Sequence, residues 1–466
     1  MQDNPVNGHS SQTAPPWKGL LFVALGVSLI MLDTTVVNVA LPWMAFDLGF
    51  RTSDTQWAVA GYSLTFAAFL IAAGRLADIR GRRRIFVAGV SLFVLASAWI
   101  GLANTSQAVI AGRFVQGLGA AMIMPSSLSL INATFIGKHR ATAFAVWGGT
   151  IGGMAALGPL VGGYVTDTFS WHWAFFINVP ISIITVLGVR RFMPESRDLH
   201  AQSGFDIPGT VLSAAGLAGI VFALIEGQRL GWLVGITEFA IGPVTWGRGA
   251  LSLPALFALE GVLCIVAFAI VERSRSKAGK PLLLDFTLFR IASFRNGNIV
   301  AAIVSLGEFG LLYVLPLFVQ GTLEYSSLQT GVLLLALAAG SFLASAYGAR
   351  LAPRIGAVRV LQVGMALEAV AIIWVGFAIH ANSTRAGLAP ALFIYGLGIG
   401  FATAQLTSVI LRDVPREVSG QASAVQSTAR QGGAAHLRHL PGETQHSKHP
   451  RRRDPHRHGA LRRHAR

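Results

Sequence analysis

Charge is scarce in this sequence. Of its 466 residues only 12% are Asp, Glu, Lys or Arg, against 53% hydrophobic. Soluble domains carry about 25% charged residues, so this chain cannot clothe a water-soluble body of its size, and lipid must supply the missing solvent. Cysteine is nearly absent. The lone Cys264 excludes a disulfide framework and any Cys-based metal site. No Gly-x-x-x-x-Gly-Lys-Ser/Thr run occurs, and no loop could house a nucleotide-binding domain. Energy for any work must then come from an ion gradient or a substrate gradient. No enzyme chemistry, metal or cofactor is expected. A cleavable signal peptide is missing too: residues 1–17 are polar, and the first apolar run ends at Leu41-Pro42 without a small-residue cleavage pattern.

What is present is a series of long apolar runs and 52 glycines, which membrane helices use for close contact. A bilayer core about 30 Å thick needs roughly 20 apolar residues to cross. Twelve runs qualify: 18–40, 56–77, 85–103, 109–134, 142–166, 172–193, 207–228, 252–271, 296–320, 328–349, 359–379 and 388–411. They are too long and continuous for barrel strands, so an all-α polytopic membrane protein is predicted.

The formal net charge of +16 would suggest nucleic acid in a soluble protein. Here its distribution signals topology, and no nucleic-acid partner is expected. Loops after even-numbered spans hold 21 Lys and Arg, among them Arg80, Arg82, Arg83, Arg84, Lys138, Arg190, Arg273 and Arg350. Loops after odd-numbered spans hold only Arg51, Arg229, Arg248 and Arg385. Positive residues remain cytoplasmic, which puts the N-terminus inside and the protein in the plasma (inner) membrane.

The chain also repeats itself. Arg75-Leu-Ala-Asp-Ile-Arg-Gly81 matches Arg350-Leu-Ala-Pro-Arg-Ile-Gly356 at an offset of 275, and Phe114-Val-Gln-Gly-Leu-Gly119 matches Phe393-Ile-Tyr-Gly-Leu-Gly398 at 279. Parallel repeats of this kind build transporters whose halves rock around a site near the midplane. The expected organisation is a cytoplasmic segment at 1–17, a six-helix bundle at 18–193, a linker with two additional spans at 194–295, an incomplete second bundle at 296–435 and a basic disordered tail at 436–466.

Few ionisable residues fall at membrane depth, where each is costly and functional by default. Asp33 on span 1 leads a polar stripe with Thr34, Thr35 and Asn38. Arg113, Gln116 and Gly117 share one face of span 4 at i, i+3 and i+4, and Arg113 is the natural counter-charge for Asp33. The alternative for Asp33 is a purely structural partner. Glu308 lies 12 residues into span 9, about 18 Å deep at 1.5 Å per residue. It could carry a proton, attract a cation or be a hydrogen-bonded core acid. Glu226, Glu260 and Glu368 are weaker candidates, and Trp57 and Tyr62 could line a pathway. The loop Gly74 to Arg84, with Asp78, Gly81 and Arg82, reads either as a charged latch between conformations or as a plain positive anchor. Gly149, Gly153, Gly158, Pro159, Gly162 and Gly163 crowd span 5. Their small-xxx-small spacing predicts close helix contact, and Pro159 predicts a bend.

Together these motifs resemble the major facilitator superfamily, and within it the fourteen-span drug–proton antiporters of the EmrB/QacA type. The resemblance covers residues 18 to about 435. It is carried by Leu32-Asp-Thr-Thr-Val-Val-Asn-Val-Ala-Leu-Pro42, the 74–84 loop, Arg113 to Ala121, Gly149 to Gly163 and Trp171 to Pro180. It implies two pseudo-repeated six-helix bundles with two extra helices between them. Under it Asp33 and Glu308 bind proton and substrate in turn, Arg113 tunes Asp33, and amphipathic, cationic or neutral toxic compounds are exported. Pro353 stands where symmetry with Asp78 expects Asp, and His172 where Arg is usual. Residues 419–435 look like the start of a thirteenth span whose apolar continuation is absent, so a shifted reading frame beyond Ala435 and an unstable or inactive chain are expected. Two other readings stay open: an importer or uniporter of a small metabolite, and a non-transporting remnant. A periplasmic adaptor is neither implied nor excluded.

Overall fold

The computed structural model describes residues 16–197, 205–241, 244–325, 327–379, 385–415 and 418–437. The expected basic tail therefore lies almost wholly outside the described residues, as does nearly all of the N-terminal segment. Every one of the twelve apolar runs is helical, because a backbone in hydrocarbon must pair its own polar groups. The first seven helices are α1 (Trp17–Asp47), α2 (Thr52–Arg80), α3 (Arg82–Gly101), α4 (Ser106–Thr134), α5 (Gly137–Thr168), α6 (Trp173–Phe176) and α7 (Asn178–Phe192). There follow α8 (Ile207–Leu230), α9 (Leu253–Lys277), α10 (Ala292–Gly321), α11 (Ser327–Ile355), α12 (Ala357–Ala378), α13 (Arg385–Ile410) and α14 (Ser419–Leu437). A short antiparallel hairpin, β1 (Phe239–Ile241) and β2 (Val244–Trp246), joins α8 to α9. Ten helical segments among the described residues are long and apolar enough to cross a membrane, α6 and α7 together counting as one. Helices α5 and α10, of 32 and 30 residues, pack among them.

Two details depart from the apolar pattern. Helix α1 continues through Pro42 to Asp47, past the end of its hydrophobic run. Span 6 is broken at Ile177 into α6 and α7, which puts the buried Asn178 at the head of a helix rather than in its middle.

The repeat read from sequence is visible as pseudo-symmetric packing. In the first half α4 packs on α2 and α3; in the second α13 packs on α11 and α12. The seams use repeat-related glycines. A Cβ at Gly117 would strike the Tyr62 carbonyl on α2, and one at Gly396 the Leu337 carbonyl on α11. The halves meet along two equivalent lines, α2 with α14 and α11 with α5. Span 2 is the repeat partner of span 10, so α14 occupies the place in the second half that α5 holds in the first. Helices α8 and α9 pair with each other and rest on α2 through Val221 and Ile225 against Ala60 and Ala67.

The glycine seam gives a stability prediction. Gly396→Val puts side-chain atoms into backbone that cannot retreat, so the expected destabilisation is about 1–3 kcal/mol. It would be read as a lower thermal midpoint of the purified protein in detergent. An unchanged midpoint would mean the α11–α13 seam is looser than described.

Candidate functional site

Three clusters of buried charge lie along the seam between the halves, two flanking it and one closing its end; further buried acids, Asp206 with Arg275 and Glu226 with Arg229, belong to α8 and α9. The first is built on Asp33 in α1, which is 1% exposed. Arg113 reaches it from α4, donating from Nη1 to Asp33 Oδ2 at 2.5 Å. The same guanidinium donates to Gln116 Oε1 at 2.6 Å and, through Nε, to the Ala58 carbonyl at 2.9 Å. Gln116 in turn donates to Asp33 Oδ1 at 2.7 Å and to Ser97 Oγ at 2.8 Å. The i, i+3 spacing on α4 explains why Arg113 and Gln116 grip one carboxylate together. Tyr62 lies under the guanidinium, its ring centroid 4.3 Å from Arg113 Cζ, which favours the cation further. Ser97 and Asn178 complete the cluster, Asn178 approaching Asp33 and Ser97 at 3.4 Å each. Sequence reasoning did not single out either. Asn178 was within reach of it, as the polar residue in the approach to span 6.

The second place is Glu308 in α10, 5% exposed. Thr403 of α13 donates to its Oε1 at 2.8 Å, and Arg430 of α14 donates from Nη2 to its Oε2 at 2.8 Å. Glu368 of α12 lies within electrostatic range of both Glu308 and Arg430. The guanidinium is bonded to Glu308 alone of these two acids. Arg430 lies in the segment that resembles the start of a thirteenth span, but nothing in that segment's sequence marks it as the partner of Glu308.

Between these clusters lies a small cavity with about 20 Å³ of free interior, room for a single water. Its apolar wall is Met31, Met124, Leu128, Trp147 and Ile151 from α1, α4 and α5, and its polar wall is α14 with Gln426, Ser427 and Arg430. Trp147 is pinned by a hydrogen bond from Nε1 to Ser127 Oγ at 3.0 Å.

The third place closes one end of the seam. Asp78, at the end of α2 and fully buried, accepts from Arg82 Nε at 3.1 Å and Nη2 at 2.9 Å. It also accepts from the first backbone N–H groups of α14, Gly420 at 3.0 Å and Gln421 at 3.1 Å. These donors have no partner within their own helix, and the carboxylate complements the positive end of the helix dipole. One side chain therefore ties the first half to the second. Gly74 makes this crossing close enough: a Cβ there would meet the Gly420 carbonyl at 2.5 Å. Gly81 turns the chain with φ of +112°, and the carboxylate of Glu195 sits beside it, accepting from the Arg83 and Arg84 amides at the head of α3.

The span 5 glycines serve two neighbours. Gly149 and Gly153 face Ser345 and Phe342 of α11, in the other half, while Gly158 and Gly162 face Thr35 and Val36 of α1. Gly163 is buried in the same helix, and the side chain of Pro159 lies outside those described.

Three sequence candidates stand elsewhere. Glu226 is buried, but its Oε2 pairs with Arg229 Nε at 2.6 Å near the end of α8 and not with a member of either carboxylate cluster. Trp57 packs between Phe114 and Phe222 at 6.1 and 6.0 Å, so the structure gives it to the contact of α2 with α8 and not to the cavity. Asn38 is exposed on α1, a turn past the Asp33 cluster, and makes no part of it. The Glu226–Arg229 pair follows from i, i+3 spacing on α8, whereas the surroundings of Trp57 and Asn38 do not, because spacing gives a face but not its neighbour.

The arrangement can be compared with known proteins. The chain is 35% identical to the puromycin resistance protein pur8 of Streptomyces alboniger over 92% of this chain and 82% of that protein. It is 31% identical to the tetracenomycin C resistance and export protein of Streptomyces glaucescens, covering 90% and 74%. It is 32% identical to the methylenomycin A resistance protein of Bacillus subtilis, covering 89% and 84%. Its fold is similar to that of the human organic anion transporter MFSD10, with a TM-score of 0.64, 15% identity and coverage of 91% and 93%. The family model described as Major Facilitator Superfamily matches residues 23–436. With that match spanning both halves and all three buried clusters, the chain belongs to the major facilitator superfamily.

Proposed function

We propose that this protein exports amphipathic toxic compounds across the plasma membrane by alternating access, driven by protons, in the manner of the fourteen-span drug–proton antiporters. The observation that carries this reading is the largely apolar cavity between the halves, flanked by two buried carboxylates. The resistance and export functions named for its relatives agree with it. Asp33 is the proton-coupling acid. Protonation of Asp33 would leave the buried Arg113 guanidinium charged but without its counter-ion, so the proton and the α1–α4 packing are linked. Glu308 is the second acid. Asp78 is the latch that holds the halves together at the end rich in Lys and Arg, which the positive-inside rule makes cytoplasmic. On this reading the Asp78 contacts to Gly420 and Gln421 close the cytoplasmic end of the seam.

Everted membrane vesicles test the direction and the coupling. Ethidium should accumulate in them when their lumen is acidified, and a protonophore should abolish the accumulation. Uptake that ignores the proton gradient would overturn proton-driven export.

A further inference from the structure

The proposed export site contains two carboxylates, yet neither lines the cavity. Asp33 lies two residues from the lining Met31 but is turned onto Arg113 and Gln116. Glu308 stands behind Arg430. The one ionisable side chain among the described lining residues is Arg430 itself, a cation 11% exposed. Its Nη2 bond to Glu308 is its one recorded hydrogen bond among the described residues. Guanidinium carries five N–H donors in a planar fork, so further donors remain for a guest. Facing it are Met31, Met124, Leu128, Trp147 and Ile151, soft and aromatic surface suited to a flat apolar body.

We propose that Arg430 is the recognition group of the transport site, and that the substrates are flat, largely apolar compounds bearing one acidic group, a carboxylate or an acidic phenol. This rests on the export reading above and departs from the cationic preference that the acids suggested in the sequence. The physical reason is order of approach. A cation entering from the cavity meets guanidinium before it meets either carboxylate. An anion meets a guanidinium fork whose geometry matches a carboxylate edge, with Glu308 its one competing acceptor. The cavity has room for about one water, so the guest enters only when the halves part.

The test is equilibrium binding to the purified full-length protein, read by tryptophan fluorescence quenching. The probes are anthraquinone-2-carboxylate, its uncharged carboxamide and ethidium. The acid should bind about tenfold or more tightly than the amide, the worth of one charge-assisted hydrogen bond. Arg430→Gln should shrink that ratio to below roughly twofold while leaving the amide's affinity unchanged, and Arg430→Lys should retain part of it. Should Arg430→Gln fail to fold, Glu308→Gln decides: it frees the guanidinium and should tighten the acid, whereas weaker or unchanged binding of the acid overturns the proposal. Equal affinity for acid and amide, tighter binding of ethidium, no binding of any probe, or an acid preference that survives Arg430→Gln overturns it as well. Acid-selective binding without proton-driven uptake of anthraquinone-2-carboxylate into everted vesicles would sink the export reading while leaving Arg430 in its role.

Discussion

Asp33→Asn should reduce proton-driven efflux to below a tenth of the wild-type rate. The asparagine fits the same space and can still accept from Gln116, but it carries no charge and takes no proton. Separating a buried ion pair costs about 3–5 kcal/mol, and each 1.4 kcal/mol is worth about tenfold, so the coupling term is large enough to silence the driven reaction. The fold should survive, because Arg113 keeps its bonds to Gln116 and the Ala58 carbonyl and its stack on Tyr62. The discriminating measurement is a comparison of two modes in reconstituted vesicles. Uptake driven by a pH gradient should vanish, while exchange of labelled for unlabelled substrate at equal pH should persist. Undiminished gradient-driven uptake would remove Asp33 from the mechanism. Loss of both modes together with loss of folded protein would make the cluster structural.

Asp78→Ala should open the end of the seam that the latch closes. The substitution removes the acceptor for two α14 amides and the counter-ion of Arg82, itself 3% exposed. The loss of even ~1.4 kcal/mol moves a two-state population tenfold. A reporter is available because Cys264 is the only native cysteine. In a Cys264→Ser background, Ser423→Cys places a thiol on α14 that is fully buried in the closed state. Labelling by an impermeant maleimide in everted vesicles should quicken at least about tenfold in the Asp78→Ala variant. Equal labelling would show that Asp78 holds the loop without gating it. Asp78→Glu offers a graded control, since the carboxylate is retained but lengthened against the tight Gly74–Gly420 crossing.

The two clusters differ in how legible they were. Asp33 and Arg113 could be paired before any coordinates, because each is a costly charge in an apolar helix and a buried charge needs a partner. The interior position of Arg113 followed from the same cost. Gln116 followed from its place one turn along α4. Ser97 and Asn178 could not be found this way, since an isolated serine or asparagine in a span satisfies itself on its own backbone as often as it reaches a neighbour. Asp78 was legible as an acid within a basic loop. That it grips the amides of residues 420 and 421, more than three hundred positions away, was not.

Helix α14 shows the same limit from the other side. Its residues 419–430 include Ser419, Gln421, Ser423, Gln426, Ser427, Thr428 and Arg430, and a hydropathy window passes over it. Yet its described side chains are mostly buried, because it lies between the halves and its polar groups find partners there: Gln426 donates to Thr407 Oγ1 at 2.7 Å and Arg430 to Glu308. Polarity that would forbid a lipid-facing helix is tolerated in one whose neighbours are protein.

What the amino-acid sequence determined alone was the solvent, the helices and their repetition: scarce charge demands lipid, lipid demands closed backbone pairing, and recurring motifs demand related halves. These are consequences of local composition and need no knowledge of neighbours. Only the tertiary structure decided which helix faces which. It turned Trp57 to α8 and set Arg430 in front of Glu308 at the cavity. Partner choice between distant segments depends on packing geometry in three dimensions, and one helical period carries no information about what lies across the groove.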